Sequence, residues 1–250
     1  MPIISVQLYT VRDFASKDVK DTLKQIKAAG YDYVELAGTY GLTGSEFRNM
    51  LDETGLKAYS AHVGLETFEN NAEENVKMYK SLGCEALVVP YLGEEQLPNG
   101  NDYARTVKLM QNAVKLCADF GITFAYHNHD FEIKNLESGE LILDKIVDDA
   151  PGTKLQLDLG WVLMAGQDPV SYMEKYSGRC PLVHLKDNTK VETGNEDRPV
   201  GKGLLDIPSI LKKGEEIGVN CYVVELDNAV GMTSIEAIKE SREYLKSLSY

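Results

Sequence analysis

Every histidine in this 250-residue chain stands at or just after the end of a short, strand-like apolar run. The four are His62, His127, His129 and His184. Carboxylates occupy the same kind of position at Asp158 in LQLDLG and Glu225 in YVVEL. Imidazoles and carboxylates bind divalent metals and transfer protons near neutral pH. A single histidine of this kind can be a core residue, but four at equivalent positions indicate an active site.

A repeated phrase shows which elements must carry these residues. Five times an amphipathic helical segment ends in a glycine, and a short strand rich in β-branched or aromatic residues follows. The glycines are Gly30, Gly55, Gly83, Gly121 and Gly218. Glycine at the end of a helix favours the left-handed cap conformation. Each phrase therefore predicts a helix-to-strand joint.

The full pattern predicts eight strands alternating with eight helices. The strands are expected near residues 3 to 8, 32 to 36, 57 to 62, 85 to 90, 122 to 127, 154 to 159, 181 to 186 and 220 to 226. Strict alternation implies parallel strands, and eight units in this length fit a closed α/β barrel. The first strand runs into QLYTVRDF, which lacks the glycine-rich turn of an open dinucleotide-binding sheet. We predict a single (β/α)₈ TIM barrel domain over residues 1 to 250.

In such barrels the active site lies at the carboxyl ends of the strands. Neighbouring strands are about 4.8 Å apart, so inward side chains from the last four strands can converge on one ion. His127, Asp158, His184 and Glu225 form the predicted metal site. This donor set suits one divalent ion of manganese, zinc, cobalt, iron or magnesium. The alternatives are a helix cap for Asp158 and a salt bridge within the barrel for Glu225.

Further polar residues at the strand ends are candidates for catalysis and substrate binding. The predicted catalytic residues are Glu225, His127 and Lys186, because each can transfer a proton next to a bound carbonyl group. The predicted substrate-binding residues are Gln7, Glu35, His62, His129, Glu132, Trp161 and Asp227.

Several of these side chains have a purely structural alternative. Glu35 and His62 can form a simple ion pair, and Lys186 can pair with Asp187 or Asp227. Trp161 can pack on the barrel top instead of contacting a sugar ring, and Glu132 can be a solvated loop acid.

Composition excludes several partners. The net charge of −13 and the absence of a lysine or arginine cluster disfavour nucleic acid and an anionic membrane. No apolar stretch reaches the length of a membrane span, and the amino terminus does not read as a signal peptide, so a cytoplasmic protein is expected. The four scattered cysteines predict reduced, buried thiols. A homo-oligomer is compatible with the sequence.

The motifs AYHNHDFE, LQLDLGW, LVHLKDN and YVVELD together resemble the xylose isomerase-like superfamily of sugar isomerases, epimerases and inosose dehydratases. The resemblance covers the whole chain. By comparison with the ketose 3-epimerases, this resemblance implies metal ligands at Asp158, His184 and Glu225. His127 stands where those enzymes have a glutamate. That glutamate is one of two acid/base residues in the epimerases. Its replacement makes ordinary 3-epimerisation an open question.

The expected function is a metal-dependent isomerase or epimerase that abstracts a proton next to a carbonyl group of a sugar or keto-sugar. The alternative is a dehydratase or lyase acting on a keto-inositol or a 3-keto-glycoside. Two less favoured alternatives are an abasic-site endonuclease, which requires more metal ligands and a basic surface, and a non-catalytic binding barrel.

Overall fold

The computed structural model describes residues 2–191 and 194–250. Eight parallel strands close into one barrel in the order β1-β10-β7-β6-β5-β4-β3-β2. The barrel strands are β1 (Ile3–Gln7), β2 (Tyr33–Ala37), β3 (Lys57–His62), β4 (Ala86–Val89), β5 (Thr123–His127), β6 (Lys154–Asp158), β7 (Leu182–Leu185) and β10 (Cys221–Val224). The predicted (β/α)₈ barrel is confirmed.

Ten α-helices lie in the described part of the chain. They are α1 (Arg12–Ala15), α2 (Val19–Ala28), α3 (Gly44–Thr54), α4 (Ala72–Leu82), α5 (Tyr103–Asp119), α6 (Ile142–Asp149), α7 (Leu159–Met164), α8 (Pro169–Lys175), α9 (Ile207–Ile217) and α10 (Ser234–Ser247). The two short helices α1 and α7 were not anticipated, because one turn of helix leaves too little periodicity to detect. None of the described helices is long and apolar enough to cross a bilayer.

The segment after β7 also differs from the expected loop. It forms an antiparallel hairpin of β8 (Asn188–Val191) and β9 (Gly194–Asp197). Asp197 attaches the hairpin to the barrel, since its Oδ2 accepts from the backbone N–H of Asp227 and of Asn228 at 2.5 and 3.0 Å. The hairpin therefore holds the loop after β10 in place.

The predicted helix-to-strand joints are present. All five glycines have positive φ, for example 70° at Gly55 and 99° at Gly83, a conformation that other residues adopt at a steric cost. Strand residues such as Val34, Leu87 and Val224 are buried, as expected for parallel strands covered by helices. The four cysteines are buried and free.

The register of the strands sets the height of the polar residues inside the barrel. Gln7 pairs with Glu35, and Glu35 pairs with Ser60, which places these three side chains at one level. Asp158 pairs with His184 across β6 and β7. The set of Gln7, Glu35 and Ser60 and the pair of Asp158 and His184 both point into the barrel. Together they form a polar layer beneath its carboxyl end.

Candidate metal centre and active site

The four residues predicted to bind metal converge in the structure. One donor atom from each of His127, Asp158, His184 and Glu225 lies within 4.8 Å of the other three, and all four residues are buried. His62 forms a second group with His127 and His184 on the same distance criterion. His129 belongs to neither group, so His127 is the residue at the end of β5 that joins the cluster.

Asp158 uses its two oxygens differently. Oδ1 accepts from the backbone N–H of Trp161 at 3.0 Å and caps α7, as the structural alternative predicted. Oδ2 is buried and has no hydrogen-bond partner. Asn128 fixes the backbone here, since its Oδ1 accepts from the Asp158 N–H at 3.0 Å. The helix cap and the Asn128 hydrogen bond together fix Asp158 so that Oδ2 lies close to His127, His184 and Glu225.

His184 lies between two carboxylates. Its Nε2 is 2.7 Å from Glu35 Oε1, and its Nδ1 is 2.8 Å from Glu225 Oε2. Although burial opposes the charge, the two carboxylates raise the pKa of His184 to about 10. A metal ligand must give up its proton on the coordinating nitrogen while the other N–H is held by an acceptor. Glu35 is placed to be that acceptor.

The residues present fit a divalent metal. Asp158 Oδ2 is buried without a hydrogen-bond partner, because the Lys186 ammonium is 3.7 Å away, and a metal ion beside this oxygen would supply a direct partner. The nitrogen and oxygen donors of the cluster are those preferred by zinc, manganese, iron and cobalt. Burial lowers the pKa of His127 well below its usual range, which keeps this imidazole in the neutral form that binds metals.

Lys186 lies beside this cluster and is surrounded by acids. Its Nζ is 2.8 Å from Asp227, 3.3 Å from Glu225 and 3.7 Å from Asp158. Burial disfavours its charge, but these carboxylates raise the pKa of the lysine above its usual value. The predicted pairing with Asp227 is present. Asp187 instead accepts three backbone N–H groups from residues 201 to 205.

Two predicted substrate ligands are placed too deep for that role. Gln7 and Glu35 have no exposed surface. Glu35 accepts from Gln7 Nε2 at 2.7 Å and from Ser60 Oγ at 2.6 Å, and it lies 3.1 Å from His62. The structure does not place them for the predicted substrate contact: Glu35 is in the middle of β2, and the layer that it shares with Gln7 lies below the mouth, where Glu35 contacts His184. The expected Glu35–His62 pair is part of a larger network.

Glu132 is also buried, so neither the substrate-binding role nor the solvated alternative describes it. It accepts from Tyr126 Oη at 2.5 Å and from the backbone N–H of His129 at 2.8 Å. Burial raises the pKa of Glu132 to about 7. Glu132 is buried because the loop after β5 turns back through a one-turn 3₁₀ helix at Phe131–Ile133, which carries the side chain inward. Glu132 therefore fixes the loop that carries His129.

The mouth of the barrel contains a cavity of about 460 Å³. Six of the predicted site residues line it: His62, His127, His129, Lys186, Glu225 and Asp227. Tyr9, Ala37, Pro90 and Tyr91 complete the wall. Trp161 is not in the wall but supports it, with its ring 5.5 Å from that of His129 and 5.1 Å from Lys186 Nζ. The candidate metal ligands, Lys186 and the cavity are thus contiguous.

The barrel has counterparts among known proteins. A sequence model of xylose isomerase-like TIM barrels matches residues 23–248. The chain belongs to the xylose isomerase-like TIM barrel family. The expected family resemblance is therefore confirmed over nearly the whole barrel.

Individual relatives of this xylose isomerase-like barrel have different activities. It is 25% identical to an inosose dehydratase of Geobacillus kaustophilus, covering 90% of this chain and 86% of the relative. A sugar phosphate isomerase/epimerase from Parabacteroides distasonis has 25% identity and a TM-score of 0.83 over 98% of this chain and 94% of that one. A probable 3-DHS dehydratase from Bacillus anthracis shares the fold, with a TM-score of 0.70, 14% identity and 98% coverage of both chains.

Sequence reasoning missed one residue at the centre of this barrel. Gln156 Nε2 donates to Glu35 at 2.5 Å, and its Oε1 lies 2.7 Å from His62 Nε2 and 3.1 Å from His127 Nδ1. It therefore links the cluster to the layer below. The signal was available, because Gln156 precedes Asp158 by two positions and alternate residues of a strand share a face.

Proposed function

We propose that this protein is a metal-dependent enzyme that abstracts a proton next to the carbonyl group of a sugar or keto-sugar and returns it in an isomerisation or epimerisation. The observation that carries the proposal is the convergence of four potential metal ligands next to a cavity that two of them, His127 and Glu225, line together with Lys186. His127, Asp158, His184 and Glu225 would hold the ion. When bound, such an ion polarises a carbonyl oxygen and acidifies the neighbouring C–H bond.

Glu225 is the proposed base. Burial opposes its ionisation, but Lys186 and His184 lower the pKa of this carboxyl well below its usual range, so it is ready to accept a proton. Lys186, 3.3 Å away, stays protonated and can donate to an oxygen that gains negative charge. His127 is neutral and would act as a metal ligand, with its Nδ1 held by Gln156, so Glu225 would also return the proton, as an isomerisation requires.

Elimination is the second candidate, and one feature favours it. His127 stands where the ketose epimerases have the second carboxylate of their acid/base pair, whereas elimination needs one base and one acid. Glu225 and Lys186 provide that pair. The 25% identity to an inosose dehydratase points in the same direction. A dehydratase or lyase acting on a keto-inositol or keto-glycoside would share the first proton transfer with the isomerase.

Hydrogen exchange tests the shared step. The metal-loaded protein is incubated in D₂O with a panel of ketohexoses, ketopentoses and keto-inositols, and NMR follows the proton on the carbon next to the carbonyl. We expect deuterium at that carbon for at least one compound. Glu225→Gln should abolish the exchange, whereas Glu85→Gln, an exposed acid at the start of β4, should not.

The products separate the two candidates. A new epimer or isomer supports the first, and a conjugated enone absorbing in the near ultraviolet supports elimination. Absence of exchange with every compound, while the protein holds its metal, would contradict the proposal.

A further inference from the structure

Exposed aromatic rings are concentrated at the cavity. Within residues 2–191 and 194–250, four large apolar side chains are markedly exposed: Tyr9, Tyr91, Leu204 and Val230. Tyr9 is 45% and Tyr91 55% exposed, and both line the cavity that contains Glu225 and Lys186. They follow β1 and β4, so they stand on different sides of the mouth. Exposed rings at one concave site indicate a binding surface.

Tyr9 is held rigidly despite its exposure. Its backbone N–H donates to Gln7 Oε1 at 3.0 Å, and the Arg12 guanidinium covers one ring face at 4.0 Å from the centroid. Arg12 is itself fixed, because it donates to the carbonyl oxygens of Tyr9 and Asp227 at 2.9 and 2.7 Å. Because one ring face already packs on an ordered guanidinium, the Tyr9 side chain loses little entropy when a ligand stacks on its other face.

Tyr91 belongs to an aromatic group on the other side. Its ring is 5.8 Å from that of His129 and 5.7 Å from that of Phe131, with interplanar angles of 82° and 76°. His129 and Phe131 stack on each other at 5.5 Å. The outer wall is therefore apolar with hydroxyl groups at its edge, a surface that suits the C–H face of a sugar ring or an aromatic ring.

The charge of the cavity argues against a phosphate as the outer group. Among the lining residues that the structure describes, Lys186 is the one lysine or arginine, and three carboxylates already surround it.

We infer that the substrate is a glycoside: a reacting sugar at Glu225 and Lys186, and a second, uncharged ring that binds at an outer subsite formed by Tyr9 and Tyr91. This inference rests on the proposed function for the position of the reacting sugar. It adds the substrate class, since a free monosaccharide would leave the two tyrosines without a partner.

Paired glycosides test the subsite without turnover. Methyl and phenyl glycosides of glucose, galactose and xylose are titrated into the metal-loaded protein, with fluorescence of Trp161, the only tryptophan, and ligand-observed NMR as readouts. For at least one sugar we expect the phenyl glycoside to bind about tenfold more tightly than the methyl glycoside, because stacking contributes about 1.4 kcal/mol. Tyr9→Ala and Tyr91→Ala should each reduce this ratio, and the double variant should bring it to about one.

Matched variants identify the cause. Tyr9→Phe and Tyr91→Phe keep the rings and should keep the ratio, and Leu204→Ala, equally exposed at 54% but outside the cavity, should not change it. A ratio near one in the wild type, or no binding of any glycoside, would overturn the inference. The two proposals can fail separately. Tighter binding of phenyl glycosides without deuterium exchange would support the outer subsite and contradict the proposed function. Deuterium exchange with a binding ratio near one would support the proposed function and contradict the outer subsite.

Discussion

The two arcs of the barrel carry similar residues that are used in different ways. On β1 to β3, the polar atoms of Glu35 are saturated by donors from Gln7, Ser60 and neighbouring strands, and the carboxylate is sealed below the mouth. On β5 to β10, Asp158 retains an oxygen without a hydrogen-bond partner, next to Lys186, which lines the cavity. The role of a carboxylate in this barrel therefore depends on whether its polar atoms already have partners, and not only on its strand position.

The largest expected effect is at Asp158. Asp158→Asn keeps an oxygen that can cap α7 but removes the free carboxylate oxygen. Loss of a ligand should cost more than the roughly 10- to 100-fold typical of residues that only support a ligand. We therefore expect proton exchange to fall by more than about 100-fold and the metal-induced rise in Tm to disappear. Asp168→Asn, at the cap of α8 and away from the cluster, is the control.

A substitution of Glu35 tests the arc of β1 to β3, where the polar atoms already have hydrogen-bond partners. Glu35→Gln cannot accept from all of its donors, so His184 loses the partner of its Nε2. We expect metal affinity to fall by about 10- to 100-fold, with a lower Tm in the metal-free protein as well. Calorimetric titration with Mn²⁺ and Zn²⁺ measures the affinity. Unchanged affinity would show that Glu35 does not position His184. Glu132→Gln, a buried carboxylate outside the cluster, should leave it unaltered.

The affinity for metal should increase with pH. Burial raises the pKa of Asp158 to about 7, and the two carboxylates raise the pKa of His184 to about 10, so both hold protons that a metal must displace. Affinity should therefore rise with pH between 6 and 8, by about tenfold or more per unit, with release of at least about one proton at pH 7.5. Titrations in buffers of different ionisation enthalpy count the protons. Binding that is independent of pH would contradict this charge assignment.

The prediction with the smallest effect on metal binding concerns the pH dependence of stability at Glu132. Burial raises its pKa to about 7 from an ordinary value near 4.5, so the folded chain holds this proton more tightly than the unfolded chain. Its contribution is complete below about pH 4.5 and is lost as pH rises to about 7, on the order of 3 kcal/mol. In Glu132→Gln the decline between these values should be absent. Urea unfolding at several pH values measures it, with the exposed Glu137→Gln as control.

Sequence periodicity was sufficient to predict the barrel and the convergence of His127, Asp158, His184 and Glu225. Strand alternation with helices fixes the fold, and the end of a strand fixes which side chains meet. Depth was harder to predict: Glu35 lies in the middle of β2 and pairs in register with Gln7, so both belong to a layer below the mouth. Glu132 was misplaced because loop conformation decides its burial. Gln156 was missed because glutamine is neither an acid nor a base, although its spacing from Asp158 places it on the same face.

The most direct test of the central claim is the metal content of the chain. Elemental mass spectrometry is applied to the wild type and to His127→Ala, Asp158→Ala, His184→Ala and Glu225→Ala from the same host, with circular dichroism to verify the fold. We predict about one divalent ion per wild-type chain and its loss from the folded variants. A wild-type protein that binds no divalent metal even after reconstitution would contradict a metal-dependent mechanism.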